Sequence, residues 1–330
     1  MSASAASIGA MPPVPMTFGQ IFDRSFRLLR VHLRLFLSIA AVPSAAIFAV
    51  FVPALAVMVP TALMHGHGQS EPSGIAVGVA GLLCFVGYLA FPAVFALYLP
   101  AASYAATQAN RGVSVTFREA YAVSWRRIGR YLWLMLLGSL YVIVPLLVVA
   151  LTIGAGALLL HFAAGVGSDS PLVLLLIPLG ILLYVAVLIY SIFITLQLSL
   201  AYPACVVEDL PAAAALQRSR RLTKGSLGRI FLVLLLVYAI TYLVSMICFA
   251  IVFVVGALVA AFAMLAHVAQ DSPAFWVLIG LAGLGYLLIL VATCLTSYAS
   301  LTTALAVIYH DQRLRIDGPT PVPVADGVPA

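Results

Sequence analysis

The stretch Thr116-Phe117-Arg118-Glu119-Ala120-Tyr121-Ala122-Val123-Ser124-Trp125-Arg126-Arg127-Ile128-Gly129-Arg130, followed by the apolar run 131–162, decides the fold. Its beginning reads as a helix start. Thr116 and Glu119 form a capping box, in which the hydroxyl accepts from the third backbone N–H and the carboxylate reaches back to the N–H of the threonine itself. Phe117, Tyr121, Trp125 and Ile128 then fall on one helix face, opposite Arg126, Arg127 and Arg130. That is the profile of a helix lying in the headgroup layer of a membrane. The run that follows holds no charged residue and exceeds the roughly 20 apolar residues that cross the hydrocarbon core.

The same alternation governs the whole chain. All sixteen Lys and Arg residues lie in four stretches, 24–34, 111–130, 218–229 and 313–315. Six apolar runs lie between and around them, near 35–64, 74–108, 131–162, 172–201, 230–266 and 275–309. Each predicts a transmembrane helix, and their excess length predicts tilts or interfacial extensions. Pro43, Pro53, Pro60, Pro92 and Pro100 mark expected kinks, where packed neighbours can re-satisfy freed carbonyls. The loops 65–73, 163–171 and 267–274 contain no Lys or Arg, and each carries one acid: Glu71, Asp169 and Asp271. The positive-inside rule makes the opposite, basic side cytoplasmic. It predicts a bacterial inner-membrane protein with both termini in the cytoplasm. Tyr98, Tyr131, Trp133 and Tyr202 near that boundary, and Trp276 near the other, read as interfacial aromatics.

Composition agrees. The 330 residues are 64% hydrophobic and 8% charged, against about 25% charged in a soluble domain. Lipid must therefore be the solvent. The net charge of +6 does not point to nucleic acid, because the basic residues flank apolar spans and fit a membrane surface. Cys84, Cys205, Cys248 and Cys294 form no CxxC pair and read as buried small hydrophobes rather than a disulfide or zinc site. Residues 1–16 lack the basic and apolar regions of a signal peptide and are expected to be a flexible tail, as is 319–330.

Three related units are legible. Thr17-Phe18-Gly19-Gln20 repeats the capping box of Thr116, and Ser25-Phe26-Arg27 repeats Ser124-Trp125-Arg126 at the same offset. Ser219-Arg220-Arg221 is the third copy, with Asp209 before Pro211 as its expected helix start. In the first unit Phe18, Ile21, Phe22, Ser25, Leu29 and Leu33 oppose Asp23, Arg27, Arg30 and Arg34. In the third, Ala212, Ala215, Leu216, Ser219 and Leu222 oppose Arg218, Arg221 and Lys224, and their small size suggests packing on protein rather than lipid. The predicted fold is all-α: six transmembrane helices in one membrane domain, 17–318, built from three parallel repeats of interfacial helix plus hairpin. The units run about 17–112, 113–206 and 207–318. They are not the inverted repeats of many secondary transporters.

Tyr202-Pro203-Ala204-Cys205-Val206-Val207-Glu208-Asp209, then Ala215-Leu216-Gln217-Arg218-Ser219-Arg220-Arg221-Leu222 and Lys224-Gly225, resemble the signature of the glycerophosphoryl diester phosphodiesterase membrane domain family. The opening Thr17-Phe18-Gly19-Gln20-Ile21-Phe22-Asp23 and the ending Tyr309-His310-Asp311-Gln312-Arg313-Leu314-Arg315-Ile316-Asp317-Gly318 resemble its ends, so the resemblance covers roughly 16–318. That family takes its name from proteins in which such a region is fused to a soluble phosphodiesterase domain, a barrel of about 250 residues. No soluble stretch of this chain could hold one, so the resemblance implies a membrane module and carries over no catalytic residue.

The runs contain no Asp, Glu, Lys or Arg, which argues against a proton-coupled pump. Gln108, Thr195, Gln197 and Thr293 are the polar candidates within them, for interhelical hydrogen bonds or, for the first three, a polar cavity. His65-Gly66-His67 with Glu71 lacks a fourth metal ligand nearby and reads as a solvated loop. Glu208-Asp209 with Arg218, Arg220, Arg221 and Lys224 is the densest charged patch and reads as a helix cap with ion pairs. Arg27, Arg30, Arg126, Arg127, Arg130, Arg218, Arg221 and Lys224 are the candidate contacts to anionic lipid or a partner. Gly74 and Gly78 make a small-xxx-small step that permits close helix packing or a homo-oligomer. There is no GxGxxG, Walker A, HExxH or GxSxG motif, so neither a cofactor nor enzymatic chemistry is expected. The reading is a non-enzymatic module that binds lipid or organises partners. The alternative is a transporter or channel for an uncharged or amphipathic solute, which a polar cavity among the hairpins would favour and a dry, packed centre would not.

Overall fold

A computed structural model of the chain describes residues 14–66, 74–163, 171–265 and 273–318. Among the described residues there are ten helices and no strand. Three short helices, α1 (Phe18–Val31), α4 (Phe117–Arg126) and α8 (Ala212–Thr223), each precede a long hairpin. The hairpins are α2 (Leu33–Gly66) with α3 (Gly74–Asn110), α5 (Ile128–Ala163) with α6 (Pro171–Leu198), and α9 (Leu227–Leu265) with α10 (Pro273–Asp317). A short helix, α7 (Ala201–Val207), continues α6 after a break. Each of the six long helices contains a span long and apolar enough to cross a membrane.

Local chemistry sets the boundaries. Thr17 and Thr116 are both N-caps with complete capping boxes: Gln20 Oε1 accepts from the Thr17 N–H at 2.8 Å, and Glu119 Oε2 from the Thr116 N–H at 2.9 Å. His32 and Arg127 are single non-helical residues that turn α1 into α2 and α4 into α5. The step from α8 to α9 needs Gly225, whose φ of +82° a side chain would strain. The third helix start differs from the sequence expectation. Pro211 occupies the N-cap of α8 and no side chain caps it. Asp209 instead takes a left-handed φ of 52° and turns toward α5.

The packed core lies at the basic ends of the helices. Phe36, Ile39, Tyr98, Leu134, Ile230, Ile308 and Tyr309 are fully or almost fully buried there. Ala101, Ala102, Ala105, Ala106 and Ala109 give α3 a face of methyl groups, which lets neighbouring helices approach closely. Small amphipathic helices complete this core. Ile21 and Leu28 of α1 are buried in it, as are Ala120 and Ser124 of α4. Much of the apolar face of α1 is therefore covered by protein, a departure from the sequence reading, while Phe18 at its start stays exposed. On α4, Phe117 and Trp125 stay exposed, so its outer face alone keeps the interfacial character. The small residues of α8 pack inward, with Ala212, Ala215, Leu216, Ser219 and Leu222 buried. Tyr98 and Tyr131 are core residues at 1% exposure rather than interfacial aromatics, whereas Trp133 is 55% exposed.

Away from the basic ends the long helices turn most of their apolar side chains outward, as Phe85, Leu151, Leu182 and Phe253 show. Of the window in α5 that can cross a membrane, 6% is buried. Within each hairpin there is nonetheless a contact in this outer half. Val50 meets Gly87, Ile153 meets Gly180, and the rings of Phe249 and Tyr286 lie 5.3 Å apart. The close approach falls at Gly87 and not at Gly74 or Gly78, where an added methyl would touch nothing within 4 Å. Cys205 is buried, while Cys84 faces outward; all four cysteines are free. The side chains of His65, His67, Glu71 and Trp276 lie outside the described residues.

A Cβ at Gly87 would sit 2.3 Å from Val50 Cγ1. Gly87→Ala is expected to destabilise the protein by about 1–3 kcal/mol through overpacking. Adding Val50→Ala should restore most of the loss, measured as the thermal midpoint in detergent. Unchanged stability of Gly87→Ala alone would show that this crossing is loose.

Candidate functional site

Two clusters of charge organise the basic end. In the first, Asp311 is wholly buried. One carboxylate oxygen accepts from the Met16 backbone N–H at 2.7 Å, and the other faces Arg315 Nε at 2.9 Å and an Arg229 nitrogen at 3.2 Å. Both arginines also donate to the Met16 carbonyl. The segment before α1, the start of α9 and the end of α10 are thereby tied at one point. In the second, Glu208 accepts from Arg218 Nε at 2.9 Å and from the Tyr309 hydroxyl at 2.7 Å. Arg218 also pairs with Asp317. Those two carboxylates, Asp317 first, hold its guanidinium more firmly charged than usual, against the opposing effect of burial. A third link joins α5 to the turn before α8: Arg130 donates to the Asp209 carboxylate at 2.7 Å and to the Leu210 carbonyl at 3.2 Å, and Arg127 pairs with the same carboxylate.

These contacts sort the predicted lipid-binding cations. Arg127, Arg130 and Arg218 are engaged by acids of the chain itself. Arg27, Arg30, Arg126, Arg221 and Lys224 are exposed. Arg24, which the sequence did not single out, is buried and donates to the Asn110 side chain at 2.9 Å. Burial, and then the nearby charge of Arg27, lower its pKa.

Directly beyond this layer of ion pairs is a cavity of about 830 Å³. It falls in the range of small-molecule sites, roughly 300–1,000 Å³. On α5 it is lined between Leu134 and Ile143, roughly 9–22 Å along that helix from its start. That depth places it in the half of the bundle nearer the basic end. Its walls come from α3, α5, α6, α9 and α10, and α7 and α8 bound it with Tyr202, Pro203 and Leu216. The lining is mostly aliphatic. Ser103, Ser139, Ser191, Thr195 and Thr302 supply scattered hydroxyls. The Tyr202 hydroxyl is buried and has no hydrogen-bond partner among the described residues. No group of three or more metal-ligating side chains occurs among the described residues.

The predicted polar cavity is not assembled. Thr195 lines the space, but Gln108 and Gln197 do not. The Gln197 main-chain carbonyl accepts from Ser219 at 2.6 Å, which fixes α8 to the end of α6, and that of Gln108 closes the turn after α3. Thr293 is likewise outside it. Nor is the centre packed throughout, because the apolar cavity lies among the helices. Arg220, which the sequence reading placed in the densest charged patch but not among the candidate lipid contacts, stands apart from its neighbours. Its guanidinium carbon lies 4.3 Å from the centre of the Tyr141 ring, and its Nε is buried without a hydrogen-bond partner among the described residues.

Together these features define an all-helical membrane protein with six helices able to span a bilayer and an apolar cavity near their basic ends. No family model, curated protein or solved structure compared with the chain matches it.

Asp311→Asn should remove the counter-charge of the partly exposed Arg229 and Arg315 and weaken a buried acceptor that serves three segments. The expected loss is about 1–3 kcal/mol, the usual result of leaving hydrogen-bonding groups unmatched. Equilibrium unfolding in detergent measures it, and a loss below ~1 kcal/mol would show that the carboxylate is not what ties the three segments.

Proposed function

We propose that the chain is a non-enzymatic module of the bacterial inner membrane that binds a lipid or lipid-like amphiphile in this cavity. One observation carries the reading: a cavity of about 830 Å³ with aliphatic walls and few hydroxyls, at membrane depth in a protein otherwise packed tightly at that end. Apolar walls favour a hydrocarbon occupant, and scattered hydroxyls accommodate ester or hydroxyl groups without demanding them. A transporter for a hydrophilic solute would need a more polar path than Thr195 and its neighbours supply. Transport of an amphipathic solute through the same space remains the second reading, supported by the apolar exposure of the outer helix halves. The resemblance to the glycerophosphoryl diester phosphodiesterase membrane domain family is compatible with both and supplies no residue to either.

On this reading the basic side is cytoplasmic, because its cations would be retained there on insertion. The three short helices open three parallel units, and the exposed Arg27, Arg30, Arg126, Arg221 and Lys224 rest against anionic headgroups. Each such residue contributes on the order of 1 kcal/mol near an anionic surface.

Gly138 lines the cavity, and a Cβ built there meets nothing within 4 Å. Gly138→Phe should fill the space while leaving the fold intact. Native mass spectrometry of the purified protein in mild detergent should show retained lipid on the wild type and at least a tenfold reduction in the variant. Equal retention by both would place the lipid elsewhere and remove the basis for this function. Topology has its own test in intact cells carrying a cysteine-free variant. A cysteine at the exposed position Ser114 should react with a membrane-impermeant thiol reagent only after permeabilisation, and one at Ser70 should react before it.

A further inference from the structure

We infer that the occupant of the cavity is an anionic amphiphile, its phosphate or carboxylate held by Arg220 while its chain occupies the apolar space. The inference rests on the cavity reading above and adds the headgroup. Leu216 of α8 lines the cavity, and Arg220 lies one turn further along the same helix face. On α5, Tyr141 lies between Ser139 and Val142, both of which line the cavity. Arg220 is stacked on that tyrosine. Its guanidinium is thus held beside the cavity, next to lining residues of both helices, on a half-buried side chain.

The balance of contacts decides the matter. A buried donor left without an acceptor is unfavourable, and stacking on Tyr141 offsets only part of that. Among the described residues no acid pairs with Arg220, although Arg127, Arg130 and Arg218 nearby in the same layer all have one. Its buried Nε donor makes no hydrogen bond to any described residue. Acids were available to the same helix, since Arg218, two residues away, takes both Glu208 and Asp317. Arg220 is left as a planar donor fork held in place by an aromatic ring. That arrangement suits bidentate recognition of a phosphate or carboxylate. The Tyr202 hydroxyl, also buried on the cavity lining and unpaired among the described residues, offers one further donor for an ester or headgroup oxygen.

The experiment is competition on the purified full-length chain in a neutral detergent. Phosphatidylglycerol and phosphatidylcholine with identical acyl chains are supplied in equal amounts, and retention is read by native mass spectrometry. The wild type should retain phosphatidylglycerol over phosphatidylcholine by roughly tenfold or more, as a charge-assisted hydrogen-bond pair implies. Arg220→Gln should abolish that preference and leave phosphatidylcholine retention unchanged, which also reports an intact fold. Tyr141→Leu, which removes the platform but keeps the charge, should reduce the preference by a smaller factor. Persistence of the full preference in both variants would overturn the role of Arg220. Retention of neither lipid by the wild type, with Gly138→Phe indistinguishable from it, would refute the cavity reading and this inference with it. Inorganic phosphate alone binding in an Arg220-dependent way, with no lipid retained, would assign the site to a free anion and overturn the amphiphile.

Discussion

The buried carboxylate of Asp311 is the constraint on which the basic end depends. A carboxylate without water must find donors, and here they come from three separate parts of the chain. Met16 supplies a backbone N–H from before α1, Arg229 reaches in from the start of α9, and Arg315 from one turn along α10. Satisfying one group therefore sets the positions of the first and last helices together. Two turns of α10 carry nearly all of this work, because Tyr309, Gln312 and Asp317 bind Glu208, Ser226 and Arg218 from the same segment. The helix that the hydropathy profile ends near Tyr309 in fact continues to Asp317, and its polar continuation is the hub of the fold.

The cavity follows from how α8 is anchored. Ser219 bonds to the end of α6, Arg218 to α7 and α10, and the turn before α8 to α5. A short helix so tied occupies the room between the α5–α6 hairpin and the last hairpin. Its small side chains cover the ends of these helices but do not fill the space beyond them. Apolar walls around a space of this size favour hydrocarbon, which a bilayer supplies beside it.

Spans and caps could be read from the sequence because they are local. Hydropathy over about 20 residues identifies a crossing helix, and Thr17 with Gln20 or Thr116 with Glu119 identifies a start. What the sequence could not show was the partner of each face and each charge. Amphipathicity gives α1 an apolar face, yet it does not say whether lipid or α10 covers it. Asp311 and Met16 are 295 residues apart, and Glu208 and Tyr309 are 101 apart. Arg220 stands among four other basic residues in its stretch, and only its buried Nε and the ring beneath it distinguish it. The contact of Gly87 was hidden for a related reason. A glycine is significant where another chain segment meets it, and Val50 is 37 positions earlier in sequence.

The outer halves of the helices have hydrocarbon as their main packing partner, while the inner halves are locked by ion pairs and methyl-to-methyl contact. The hairpins are consequently three arms joined at a common base, each braced within itself by a contact such as that of Val50 with Gly87. The cavity lies just past the layer in which the helices are held, so its width is set jointly by the charged layer on one side and by the braces of the hairpins on the other.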